Sequence, residues 1–291
     1  MSDPCPVVFL GTPQAAVTVL DALVEAGHPV LLVVSRRDAR RGRGSAVSPS
    51  PVKERAIELG LETTDDLDEL SRRTFPPATM GVVVAYGRII PAALLGILPM
   101  LNVHFSLLPR WRGAAPVERA ILAGDERTGV CVMGDEEGLD TGPVFAREEI
   151  AIGDLGTAAL TDALARVGAR LLCAVLADRD AVGEPQSGEV TYAGKISPAD
   201  LVIDWGEPAD SVLRRVRAVA AHTVLEGRRV RIVQAEPCDG SLVAGQMSAD
   251  GTVGTAEGCV RLLRVRPESR AEMEAAAWLR GINTSFPVRL G

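Results

Sequence analysis

Asn102 and His104 stand two residues apart in a short apolar run, Leu101–Phe105, that reads as a buried strand. Side chains alternate along a strand, so the amide and the imidazole point to the same side. The run gives way to Ser106 and Pro109, and in open α/β sheets clefts form at the carboxyl ends of strands. Two donors side by side at such an edge can both bond one oxygen. Acyl transfer needs that help, because its tetrahedral intermediate carries negative charge on the former carbonyl oxygen. A satisfied polar pair at a strand end accounts for the same two residues about equally well. A third residue, Asp140, sits in the loop Gly138-Leu139-Asp140-Thr141-Gly142 between two expected strands. A carboxylate there can orient His104 and raise its pKa; taken alone, it is an acid in a glycine-bounded turn.

The elements that must position these residues alternate between two periods. Apolar runs at Pro6–Leu10, Pro29–Val34, Gly81–Ala85, Leu101–Phe105, Gly129–Met133 and Val144–Ile150 read as strands. Helical spacing covers 14–27, with Val17, Leu20, Leu23 and Val24 on one face and Gly27 as the stop, and returns at 51–60, 65–73, a short stretch from Pro91, and 157–176. Strands separated by helices predict an α/β fold with a doubly wound, mostly parallel, Rossmann-like sheet. Past residue 180 the texture changes. A connector leads to a helix at 207–220, and then to short runs at Thr223–Leu225, Arg229–Ala235, Gly251–Thr255 and Cys259–Arg266 broken by turn residues, the pattern of a small OB-like β-barrel. The expected division is a first domain over 1–185, a linker over 186–204 and a barrel over 205–291.

Composition narrows the classes. The 291 residues are 47% hydrophobic and 24% charged, ordinary for a globular enzyme, and at 3% aromatic the core must be aliphatic. No run approaches the roughly 20 apolar residues of a membrane helix, and the stretch from Met1 to Pro13 lacks a basic lead and cleavage pattern, so a cytoplasmic location is expected. Five scattered cysteines without a CxxC pair point to neither a disulfide framework nor zinc, and no metal is expected. Gly11-Thr12-Pro13 occupies the place of a phosphate loop, but neither the GxGxxG nor the GxxxxGK[ST] spacing is present. That disfavours a nucleotide-dependent oxidoreductase, the default for such a fold.

A net charge of −7 argues against a polyanionic partner on average. The distribution is uneven, however. Arg36, Arg37, Arg40, Arg41 and Arg43 crowd one glycine-containing loop, a local phosphate-seeking patch. Residues 200–291 carry twelve arginines against twelve acids, so this region is neutral.

Two stretches then carry a family resemblance: Val84-Ala85-Tyr86-Gly87-Arg88-Ile89-Ile90, and Asn102-Val103-His104-Phe105-Ser106-Leu107-Leu108-Pro109-Arg110-Trp111-Arg112-Gly113-Ala114-Ala115-Pro116. Together with Gly138–Gly142, Gly42-Arg43-Gly44 and Ser48–Lys53, they resemble the methionyl-tRNA formyltransferases over nearly the whole chain. The resemblance implies 10-formyltetrahydrofolate as formyl donor and the α-amine of initiator methionyl-tRNA as acceptor. Asn102, His104 and Asp140 would then be catalytic. Tyr86, Gly87, Arg88, Ile89, Ser106, Leu107, Leu108, Pro109, Gly138 and Leu139 would bind the folate. Arg36, Arg37, Arg40, Arg41 and Arg43 would bind tRNA, together with the C-terminal barrel over 205–291, with the protein acting as a monomer. Departures from the family pattern fall on the tRNA side: Ser45-Ala46 stands where the family has a lysine pair, and Ala218–Thr223 replaces an aromatic, proline-rich turn. The alternatives are a folate-dependent formyltransferase acting on an amino-sugar nucleotide or other small amine, and a non-catalytic folate- or RNA-binding module.

Overall fold

The computed structural model describes residues 4–40, 47–178, 180–282 and 285–291. Up to residue 193 the strands are β1 (Val7–Gly11), β2 (Val30–Val34), β3 (Ala39–Arg40), β4 (Val47–Ser48), β5 (Thr63–Thr64), β6 (Met80–Val84), β7 (Met100–His104), β8 (Arg112–Gly113), β9 (Arg127–Gly134), β10 (Val144–Ala151) and β11 (Tyr192–Ala193). The helices among them are α1 (Gln14–Glu25), α2 (Pro51–Glu58), α3 (Glu69–Arg72), α4 (Ala92–Leu95), α5 (Pro116–Ala123) and α6 (Thr157–Ala177). Seven of these strands form one sheet in the order β10-β9-β7-β6-β1-β2-β5. The pairs among β5, β2, β1, β6 and β7 are parallel, whereas β7–β9 and β9–β10 are antiparallel. The sheet is therefore the doubly wound, mostly parallel one expected, with an antiparallel edge.

The parallel strands are short, continuous apolar runs because both of their faces are covered. All five residues of β1 are buried. On one face Val8, Leu10, Leu32, Val34, Val83 and Met100 pack with Leu70 of α3 and Leu94 of α4. On the other, α6 approaches β7 so closely that a Cβ on Gly168 would come within 2.5 Å of Val103. The structure adds elements that hydrophobic period alone does not reveal. The polar loop after β2 contains the β3–β4 pair, with Arg40 opposite Val47, and the expected helix at 65–73 contracts to α3.

Contacts divide the chain into two units: residues up to Pro116 with Arg127–Ala151 and Ala158–Ala193, and Val117–Glu126 with Ile152–Thr157 and Gly194–Gly291. The stretch read as a linker over 186–204 is thus divided at 193/194. Its first part belongs with the large sheet, because β11 pairs in parallel with β8.

The second unit contains α7 (Ala209–Ala218), β12 (His222–Leu225), β13 (Arg228–Cys238), β14 (Gln246–Met247), β15 (Thr252–Gly254), β16 (Cys259–Pro267), β17 (Met273–Glu274), α8 (Ala275–Leu279) and β18 (Val288–Arg289). The strand order is β12-β13-β16-β15-β14-β18, with β17 on β16. The Gly291 N–H donates to Val224 O on β12 at 3.1 Å, joining the chain just beyond β18 to the opposite end of the strand order. Val230, Ile232, Val253, Val260, Leu262 and Val265 fill the interior, and the inside-outside alternation is the one expected of a small barrel.

Candidate active site

On β7, Asn102 and His104 share a face, and Val103 turns away toward α6. His104 is buried, with 6% of its surface exposed. Its Nε2 lies 2.9 Å from the carbonyl oxygen of Trp111. A carbonyl only accepts, so Nε2 carries the hydrogen and Nδ1 is the nitrogen left to gain or lose a proton. Nδ1 faces Asp140 Oδ2 at 3.7 Å, wider than a direct hydrogen bond. The same Oδ2 accepts the Gly113 N–H at 2.7 Å. The three expected residues are therefore brought together at the carboxyl end of β7. The donor arrangement differs from that of a bare strand, because the backbone of the following loop takes up the imidazole Nε2–H.

Asn102 Nδ2 donates to Asp135 Oδ1 at 3.3 Å, which leaves its second N–H for another acceptor. Asp135 was not singled out from sequence. It lies just after β9, where its N–H donates to Met100 O at 2.9 Å. Burial raises its carboxyl pKa, and the bond from Asn102 opposes that rise. The signal available in the sequence was only an acid five residues before Asp140.

Two loops frame the triad. In the first, Ser106 Oγ donates to Arg110 O at 2.6 Å, Arg110 lies over the Trp111 ring at 4.5 Å, and Trp111 itself adopts φ 62°. In the second, Asp140 adopts φ 51°, unusual for a residue with a side chain. Gly142 passes so close to Gly134 that a Cβ would sit 1.9 Å from its carbonyl oxygen.

The expected folate residues separate by exposure. Gly87, Arg88, Ile89, Gly138 and Leu139 are exposed, Ile89 at 92%. Tyr86, Ser106, Leu108 and Pro109 are buried, and Leu107 is partly so. The Tyr86 ring belongs to the core beside Val83 and Leu94, so only its backbone can meet a ligand, and its carbonyl already accepts from Thr12 Oγ1 at 3.1 Å. Leu108 packs with Cys131 and Met133. Of the arginine loop, Arg36, Arg37 and Arg40 are exposed. Arg36 donates to Gly87 O, and Arg37 pairs with Asp65 at 3.4 Å. Arg41 and Arg43 lie outside the described residues. A cavity of about 750 Å³ in the second unit, lined among others by Asp210, Arg214, Arg217 and Glu236, contains none of these residues. Among the described residues, no helix is long and apolar enough to cross a membrane, and no group of three or more His, Cys, Asp or Glu is disposed to hold a metal ion.

A doubly wound sheet with an amide, an imidazole and a carboxylate at one strand end, followed by a small barrel, suits an acyl-group transferase, whose intermediate needs donors for its oxyanion. The chain belongs to the formyl transferase family: residues 6–176 match the formyl transferase model and residues 195–283 the model of its C-terminal domain. The methionyl-tRNA formyltransferase of Dinoroseobacter shibae is 44% identical over 303 residues, covering 97% of this chain and 99% of that protein. Among solved structures, a methionyl-tRNA formyltransferase from Clostridium thermocellum is similar at TM-score 0.58 and 15% identity, over 82% of this chain and 96% of that one. HypX from Aquifex aeolicus in complex with tetrahydrofolic acid is similar at TM-score 0.67 and 18% identity, over 95% of this chain. The present chain spans 47% of HypX. At these identities the two structures establish the fold.

Proposed function

We propose that this enzyme transfers the formyl group of 10-formyltetrahydrofolate to the α-amine of initiator methionyl-tRNA. The observation that carries this reading is the convergence of Asn102, His104 and Asp140 at the end of β7. Full-length similarity to a methionyl-tRNA formyltransferase supports the acceptor.

In this mechanism the amine nitrogen attacks the formyl carbon, and the carbonyl oxygen becomes an oxyanion. Asn102, with one N–H on Asp135, gives its other N–H to that oxygen. His104, whose Nε2 is occupied by Trp111, takes the amine proton at Nδ1, and Asp140 stabilises the resulting imidazolium. The Nδ1–H then donates to the oxyanion or returns the proton to the departing folate nitrogen. The pterin lies along the exposed backbone of 87–89 and 138–139. The arginine loop, with Arg36, Arg37 and Arg40 and with Arg41 and Arg43, engages the tRNA phosphates. The enzyme works as a cytoplasmic monomer.

Incubation with charged initiator tRNA and 10-formyltetrahydrofolate should give formylmethionyl-tRNA. Formylation of an amino-sugar nucleotide, with tRNA left untouched, would overturn the acceptor but keep the transfer chemistry. Binding of folate with no formyl product would leave a binding module instead.

A further inference from the structure

Residues 184–193, which follow α6 and read as a connector, bond to both loops that frame the triad. Glu184 and Val144 exchange backbone hydrogen bonds at 2.8 and 2.9 Å. Thr191 Oγ1 accepts the Trp111 N–H at 2.9 Å, and Thr191 O accepts the Arg112 N–H at 2.9 Å. Gln186 stands between these ties. Its Oε1 accepts from Arg112 Nε at 3.1 Å and Nη2 at 2.6 Å. Its Nε2 donates to Asp140 O at 2.8 Å and to Gly142 O at 2.9 Å. Both lone pairs and both N–H groups of the amide are thus engaged.

Only a primary amide of this length meets both sides. Arg112 presents a donor fork, and the 140–142 loop presents two carbonyl oxygens. A flipped amide, or a carboxylate, would set acceptor against acceptor on the loop side. The loop needs this grip, because Asp140 is a non-glycine residue at φ 51°, a conformation that persists only where its surroundings impose it. With the Asp140 carbonyl held by Gln186 and its Oδ2 held by Gly113 N–H, the carboxylate has no freedom to turn from His104.

We propose that Gln186 is a positioning residue for formyl transfer: it locks the Asp140 backbone in the conformation that presents the carboxylate to His104 Nδ1. This rests on the role of Asp140 proposed above. Gln186 does not touch the reacting atoms, so its removal should affect turnover and leave binding largely intact. A misplacement of about 1 Å at a catalytic group costs up to ~100-fold in rate.

The test is a double-mutant cycle of Gln186→Glu and Asp140→Asn, assayed with methionyl-tRNA and 10-formyltetrahydrofolate. Gln186→Glu keeps the Arg112 contact as an ion pair while losing both bonds to the 140–142 loop, so it should fold with a modestly lowered melting temperature. Its kcat should fall about tenfold or more, with both KM values within about threefold. In the Asp140→Asn background it should cost nothing further, a coupling that a merely structural role would not produce. If Gln186→Glu fails to fold, Gln186→Met, of similar volume and without either polar end, replaces it in the same cycle. A normal kcat in the Gln186 variant, or an undiminished loss on top of Asp140→Asn, overturns the proposal. A fully active Asp140→Asn enzyme would instead sink the role of Asp140 and this inference with it.

Discussion

His104 shows how a neighbour's backbone selects a side chain's chemistry. The Trp111 carbonyl claims Nε2, which leaves Nδ1 as the nitrogen facing Asp140. Asn102 is held from its other side by Asp135. If these groups act as proposed, His104→Ala should lower kcat by about 10²–10⁴, the usual contribution of a positioned acid-base group. Asn102→Ala should cost about 10²–10³, as for one lost oxyanion donor. Steady-state formylation kinetics check both, and each variant should still bind folate. Near-normal turnover in both would remove the pair from the mechanism. The spacing of Asn102 and His104 was legible in the sequence because alternation along a strand is local. Asp135 was not, because its importance depends on Asn102, which is 33 residues away in the chain.

The strand carrying the site is held by what lies behind it. Gly168 lets α6 pack directly on β7, with ideal-Cβ distances of 2.5 Å to Val103 and 3.1 Å to Val130. Gly168→Val should therefore overpack this contact, costing about 1–3 kcal/mol, and a lowered melting temperature with reduced kcat would report the displaced strand. An unchanged melting temperature would mean that α6 can move away freely. In the second unit, Asp200 is gripped by Arg119 at 2.9 and 3.0 Å and by Ser197 N–H and Oγ at 2.7 and 2.8 Å. Arg119, and after it Ser197, holds the Asp200 carboxyl well below the usual carboxylate range. A folded-state value below the unfolded one contributes stability above the unfolded pKa of about 4, which is lost as pH falls through the folded value. Asp200→Asn should thus destabilise the protein at neutral pH by roughly 1–2 kcal/mol. In denaturant titrations the gap should close as pH drops below about 4; a gap that persists in acid would assign the loss to packing.

For the whole chain, the net charge of −7 understates the reach of its arginines. On the barrel, Arg231 stands opposite both His222 and Arg266 in the strand registers. Burial, aided by Arg229, lowers the His222 pKa. Like charges directly opposed on a sheet destabilise it, and phosphates would relieve that repulsion. If this face of the barrel engages the tRNA backbone, Arg231→Ala should raise KM for tRNA and reduce the slope of log KM against log salt by about one counterion, leaving KM for the folate donor unchanged. An unaltered salt slope would take this face out of tRNA binding.

The amino-acid pattern alone carried the α/β order, the switch to a barrel and the shared face of Asn102 and His104, because periodicity, turn residues and strand alternation act within a few neighbours. Folding had to supply the partners that convert those side chains into a site. Asp135 reaches Asn102 across 33 residues and Gln186 reaches Asp140 across 46. Both are polar residues in turn-rich stretches, where local chemistry already explains their presence. Gln186 lies in a segment that reads as a spacer, and only tertiary ties, the pairing of β11 with β8 and the exchange between Glu184 and Val144, bring that segment against the loops on either side of His104. Long-range hydrogen bonds leave no period in the chain, and so the residues that aim the triad became visible only once the sheet was assembled.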